Sequence, residues 1–97
     1  MTEPIACTLT RSQARQRAEQ TATIARRALR RRQPTAGGQR LLFEAGPEIE
    51  ADLRAIIAAE AECCSFLKLQ LRRVDDELEL DITGPVRARP IIDALFA

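Results

Sequence analysis

Apolar and polar residues alternate over three short stretches of the chain, and this two-residue period predicts β-strands. Residues 40–45 are predicted as a further strand. The first stretch, near the N-terminus, places Ile5, Cys7 and Leu9 on one side and small or hydroxylated residues on the other. The last two stretches flank Asp75 and Asp76, which are typical turn residues, so they predict a β-hairpin. The predicted strands cover residues 4–10, 40–45, 66–74 and 78–82.

Three other stretches follow the 3.6-residue period of a helix. A capping box formed by Thr10 and Gln13 opens the first, whose apolar stripe is mostly alanine; we therefore expect a surface helix. The second helical stretch begins with Pro47, which suits the first helical position, and with several acidic residues, which the helix dipole favours there. Pro90 fits only within the first turn of the third. The predicted helices cover residues 12–32, 46–64 and 83–97, and residues 33–39 form the predicted linker after the first.

The resulting order, β-α-β-α-β-β-α, predicts an α+β fold with a four-stranded, largely antiparallel sheet and helices packed on one face. A length of 97 residues suits one domain, 1–97, around a single core. No stretch is apolar enough for a membrane span, and the N-terminus lacks the pattern of a secretory signal. We therefore expect a cytoplasmic protein without membrane contact.

Charge is distributed unevenly along the chain, although the formal net charge is only +1. Residues 1–46 hold nine arginines and three glutamates, whereas residues 47–97 hold eleven acidic and six basic residues. We expect these two halves to attract each other, within the fold or between subunits. Five arginines lie between Arg26 and Arg32, but no aromatic residues interleave with them and no nucleic-acid-binding motif is present. This segment is therefore interpreted as a solvated helix face, and nucleic-acid binding is not expected.

Two adjacent cysteines, Cys63 and Cys64, end the second predicted helix, and Cys7 lies on the apolar side of the first predicted strand. Packing of that helix on the sheet would bring the three thiols together. Because the chain has no histidine, such a cluster suits soft ions such as Hg(II), As(III), Cu(I) or Zn(II). Glu60 lies one turn earlier, on the apolar helix face, where a carboxylate needs a partner. It is a fourth ligand, a proton acceptor for a thiol, or the partner of an arginine.

Other roles of these residues stay open at the level of sequence. The same thiols, with Glu60 as proton donor or acceptor, would also suit a redox enzyme or one that cleaves carbon–metal bonds. Cysteine is also a common core residue, so the thiols could serve packing alone. The negative end of the helix dipole disfavours a free thiolate at Cys63 and Cys64, whereas a bound metal deprotonates its thiols. We therefore expect binding more than turnover.

Three segments, IACTLT (5–10), AAEAECCSFLKLQL (58–71) and the closing ITGP…ALF, carry a resemblance to a known family. The chain resembles small bacterial proteins with the pattern E-x-x-C-C-x-F, found alone or appended to MerR-type (mercury-resistance) regulators. The resemblance rests on Cys7, Glu60, Cys63, Cys64 and Phe66. It implies handling of heavy-metal ions in resistance or sensing, with Phe66 shaping the site and a MerR-type regulator as candidate partner. The thin alanine stripe of the first helix also leaves room for a homodimer.

Overall fold

Two helix–hairpin units and a short closing helix make up the computed structural model, which describes residues 10–63 and 66–96 except for the side chain of Cys63. The strands form one antiparallel sheet in the order β1-β2-β4-β3. This architecture confirms the predicted α+β class and the four-stranded antiparallel sheet. The elements are α1 (Arg11–Ala28), β1 (Leu29–Thr35), β2 (Gly38–Glu44), α2 (Pro47–Cys63), β3 (Lys68–Val74), β4 (Glu77–Thr83), a 3-10 turn (Val86–Ala88) and α3 (Arg89–Ala94).

The two α-β-β units repeat one another closely. Each has a long helix, of 18 or 17 residues, followed by two seven-residue strands joined through a two-residue turn. The inner strands β2 and β4 pair with each other, and Leu41 lies opposite Leu80 at their midpoints. The two hairpins are therefore related by an approximate two-fold axis through the centre of the sheet.

One face of the sheet carries the hydrophobic core, and the helices pack on that face. Phe43 of β2 meets Phe96, after α3, edge to face with ring centroids 5.4 Å apart. The other face is polar: Arg40 and Arg72 each make ion pairs with Glu79 and Asp81 of the central strand β4. The buried apolar residues include Ile24, Leu41, Phe43, Leu53, Ile56, Leu78, Leu80, Ile82, Ile92 and Phe96.

The first helix is shorter than predicted, and the prediction that it reaches residue 32 was wrong. It ends at Ala28, and Leu29–Thr35, including three of the arginines assigned to a helix face, is the edge strand β1. Pairing with β2 satisfies the backbone of this polar segment, and an edge strand accepts Pro34 although a helix interior does not. The side chain of Arg32 donates to the carbonyl oxygens of Asp93, Leu95 and Phe96 and so caps the end of α3.

The predicted linker 33–39 was also wrong, because only residues 36 and 37 form the turn and the rest belong to β1 and β2. The second helix and the last three predicted strands agree with the structure within a few residues, and the closing helix is shorter than predicted. The Thr10–Gln13 capping box is present, with each residue's side chain accepting from the other's backbone N–H. Pro90 lies in the first turn of α3 as predicted. The predicted strand 4–10 falls almost wholly outside the described residues. Within the described part of the chain, no helix has the length and apolar character needed to cross a membrane.

Candidate functional site

Glu60 is buried as the sequence predicted, and its partner is an arginine of the first helix. Its residue is 2% exposed, and Oε1 accepts a hydrogen bond from Arg17 Nη1 at 2.8 Å. The side chain of Arg17 is itself only 15% exposed. A buried carboxylate is costly unless it is paired, so this contact compensates the charge of Glu60. Of the roles that the sequence left open for Glu60, the one observed is therefore that of an arginine's partner.

Arg17 was not predicted as a site residue, although the helical period of α1 contains a signal for it. Arg17 lies four residues before Thr21, seven before Ile24 and eleven before Ala28, and these three residues are buried on one face of α1. The periodicity that predicts the apolar stripe thus also places Arg17 on the same face of α1. The long guanidinium side chain reaches α2 from the end of that stripe.

Ion pairs along the two long helices show that α1 and α2 run antiparallel. Arg17, near the start of α1, contacts Glu60 near the end of α2. Arg27, in the last turn of α1, contacts Glu48 at 3.5 Å and Asp52 at 3.9 Å near the start of α2. The N-terminus of α1 and the C-terminus of α2 therefore lie at the same end of the molecule. These pairs join the basic first half to the acidic second half, as the charge distribution predicted.

Of the three cysteines, only the backbone of Cys63 lies within the described part of the chain. Cys63 is the last residue of α2. Cys7 and Cys64 are not among the described residues, and neither is the side chain of Cys63. Among the side chains that are described, no group of three or more potential ligands is arranged to hold a metal ion.

The residues that follow the cysteines connect the site to the core. Phe66 is half-buried and packs against the core cluster, and Leu67 is buried within it. Gly84 lies close to this segment: a Cβ added there would come within 3.2 Å of both the Leu67 side chain and the Phe66 carbonyl oxygen. Phe66 and Leu67 are therefore held by packing immediately after the cysteine pair.

Positive charge surrounds the N-terminal end of α1. Arg11 and Arg15 are exposed, and in the described part of the chain neither forms an ion pair. The first turn of α1 contains no acidic residue, and the last turn of α2 contains no basic one. The basic start of α1 thus complements the negative dipole end of α2.

Comparisons of the chain with protein-family models, with curated proteins and with solved structures find no match.

Proposed function

We propose that this chain is a cytosolic protein that binds one soft metal or metalloid ion through the thiolates of Cys7, Cys63 and Cys64. Its role would be metal resistance or sensing. The observation that carries the proposal is the antiparallel pairing of α1 and α2, fixed by the Arg17–Glu60 contact.

Chain lengths support a meeting of the three thiols. Arg17 is six residues, or about 9 Å of helix, from the first residue of α1, and Glu60 is three residues, or about 4.5 Å, from Cys63. The two helix ends therefore lie within about 5 Å of each other along the helix direction. Cys7 precedes the N-cap Thr10 by three residues, which span at most about 10 Å. That length is enough to bring Cys7 back to the end of α2.

The chemistry of the donor set favours soft ions. Three thiolates without histidine suit Hg(II), As(III) or Cu(I), and an open Zn(II) site is the fourth option. Metal binding deprotonates the thiols without help from a basic residue. Glu60 acts in this proposal through Arg17, by aligning the two helix ends, and Phe66 anchors the turn beside the site.

The Arg17–Glu60 contact supports binding over turnover. In the organometal-cleaving alternative Glu60 would deliver a proton, and Arg17 already occupies Oε1 of that carboxylate. In a sensing role, the bound ion would act through a separate DNA-binding protein of the MerR type.

Native mass spectrometry of the reduced protein tests the proposal, with Hg(II), As(III), Cu(I) and Zn(II) offered separately. We expect one retained ion per chain, lost in the Cys63→Ser/Cys64→Ser variant and kept in a Ser65→Ala control. Retention of none of the four ions, or equal retention by the double variant, would refute the site.

A further inference from the structure

The outer surface of the α1–α2 pair is open along most of its length. From Arg11 to Gln20, every residue of α1 except Arg17 is exposed. On α2, Ala51, Ala55 and Ala58 are exposed. Between the helices runs a groove of about 720 Å³ with Ile24 and Ile56 in its lining and the small side chains of Ala55 and Ala59 on its α2 side. The open side of two antiparallel helices can pack against two further helices to complete a four-helix bundle.

The charges of the two helices identify the helix that would fit there. α1 carries five arginines and one glutamate, and α2 carries five acidic residues and one arginine. Pairs within one chain already engage Arg17, Arg27 and four of the acidic residues of α2. In the described part of the chain, the exposed residues without an ion pair include Arg11, Arg15 and Arg26 of α1 and Glu62 of α2. A basic helix and an acidic helix side by side, running antiparallel, form one half of an antiparallel four-helix bundle.

We propose that two copies of this chain associate through this face, with α1 of each copy packed against α2 of the other. A two-fold axis parallel to the helices makes every neighbouring pair in the bundle antiparallel and opposite in charge. A two-fold axis perpendicular to the helices would instead place α1 against α1 and α2 against α2, where like charges repel. The unpaired arginines of α1 therefore favour α2 of the other copy as the partner helix, whereas the facing helices are antiparallel with either axis.

The size and composition of the face set the strength of the association. Two helices about 25 Å long and about 10 Å wide offer about 500 Å² per copy, or about 1,000 Å² in total, near the lower limit for a specific interface. The groove walls are mainly alanine and polar side chains, including Gln16, Gln20 and Thr23. We therefore expect a reversible, concentration-dependent dimer. Salt should weaken it, because electrostatic attraction selects the partner helix.

Sedimentation equilibrium of the full chain tests this dimer. Ala55→Arg places a long cation in the groove at an exposed helical position that tolerates arginine. We expect it to raise the dissociation constant of the dimer at least about tenfold. Ala36→Arg, the same substitution at the exposed turn of the first hairpin, should leave the constant unchanged.

Three results would overturn the inference. The first is a wild-type protein that stays monomeric up to millimolar concentration. The second is a dimer with the same dissociation constant in Ala55→Arg as in the wild type. The third is a monomer whose melting temperature falls in Ala55→Arg but not in Ala36→Arg, since that would assign the groove to another part of the same chain.

Discussion

Glu60 is the residue on which the geometry of the site depends most. Its position on the apolar line of α2 predicts burial, and it is buried. The sequence alone could not identify its partner, because nine arginines occupy the first half of the chain. Only the pairing of α1 with α2 selects Arg17. A side chain's burial follows from periodicity within one element, whereas the identity of its partner requires the arrangement of two.

Replacing Glu60 by glutamine tests this pair. The amide keeps the shape but leaves the Arg17 guanidinium largely buried without its counter-charge, so we expect a loss of about 2–3 kcal/mol in the free energy of unfolding. Glu62→Gln, at an exposed position in the same helix, should change it by less than about 0.5 kcal/mol. Urea unfolding followed by far-UV circular dichroism measures both. Equal effects of the two substitutions would show that the pair is unimportant.

Asp81, on the polar face of the sheet, should make stability depend on pH. The hydrogen bond from Arg40, at 2.8 Å, lowers the pKa of Asp81, and the charges of Arg40 and Arg72 act in the same direction against the opposing effect of burial. The folded pKa is thus below the unfolded value of about 3.9. The stabilisation is present above that value and is lost as the pH falls through the folded pKa.

The expected result is that Asp81→Asn destabilises the protein at pH 7 and that its difference from the wild type shrinks as the pH falls below about 4. Arg40→Gln should remove much of the same pH-dependent difference, because the main cause of the shift is then absent. Unfolding in urea at pH 7 and pH 3 provides the comparison. A destabilisation by Asp81→Asn that is the same at both pH values would contradict this assignment.

At the scale of elements, α2, the start of α1 and the second hairpin follow from the sequence, whereas the end of α1 and the first strand of the first hairpin do not. α2 has a clear apolar period, and β4 alternates between buried and half-buried residues. β1 shows no such alternation, since its five central residues are all exposed and only Leu29 and Thr35 are half-buried. An edge strand of this kind is specified by pairing with β2 and by the short turn that joins them.

The close approach of β2 and β4 makes Gly38 a sensitive position. A Cβ at residue 38 would overlap the backbone of Ile82, so Gly38→Ala should force the two central strands apart and cost about 1–3 kcal/mol. Gly46→Ala is the matched control: nothing lies within 4 Å of its added Cβ, and it should be neutral or stabilise by up to about 1 kcal/mol. Thermal melts distinguish the two. A neutral Gly38→Ala would mean that the strands pair less closely than described.

At the scale of the whole molecule, ion pairs connect the basic first half of the chain to the acidic second half. Arg17, Arg27 and Arg40 each pair with an acidic residue of the second half. The sequence predicts this attraction from the uneven charge, but the helix direction that places residues 10 and 63 at one end emerges only from the fold.

Ion binding should stabilise the whole domain. One ion at about 100 times its dissociation constant adds about 2.7 kcal/mol to the free energy of unfolding. For a domain of this size that gain raises the melting temperature by about 10–20 °C. The Cys63→Ser/Cys64→Ser variant should show no such increase, and removal of the ion with excess dithiol should reverse it in the wild type. A melting temperature insensitive to every soft ion would argue for cysteines that serve packing alone.

The most direct test of the account is X-ray absorption spectroscopy at the edge of the bound ion, in wild-type protein and in Cys7→Ser. The antiparallel pairing of α1 and α2 predicts three sulfur ligands in the wild type and two in the variant. Two sulfur ligands in both proteins would contradict the central claim, because Cys7 would then lie away from the end of α2.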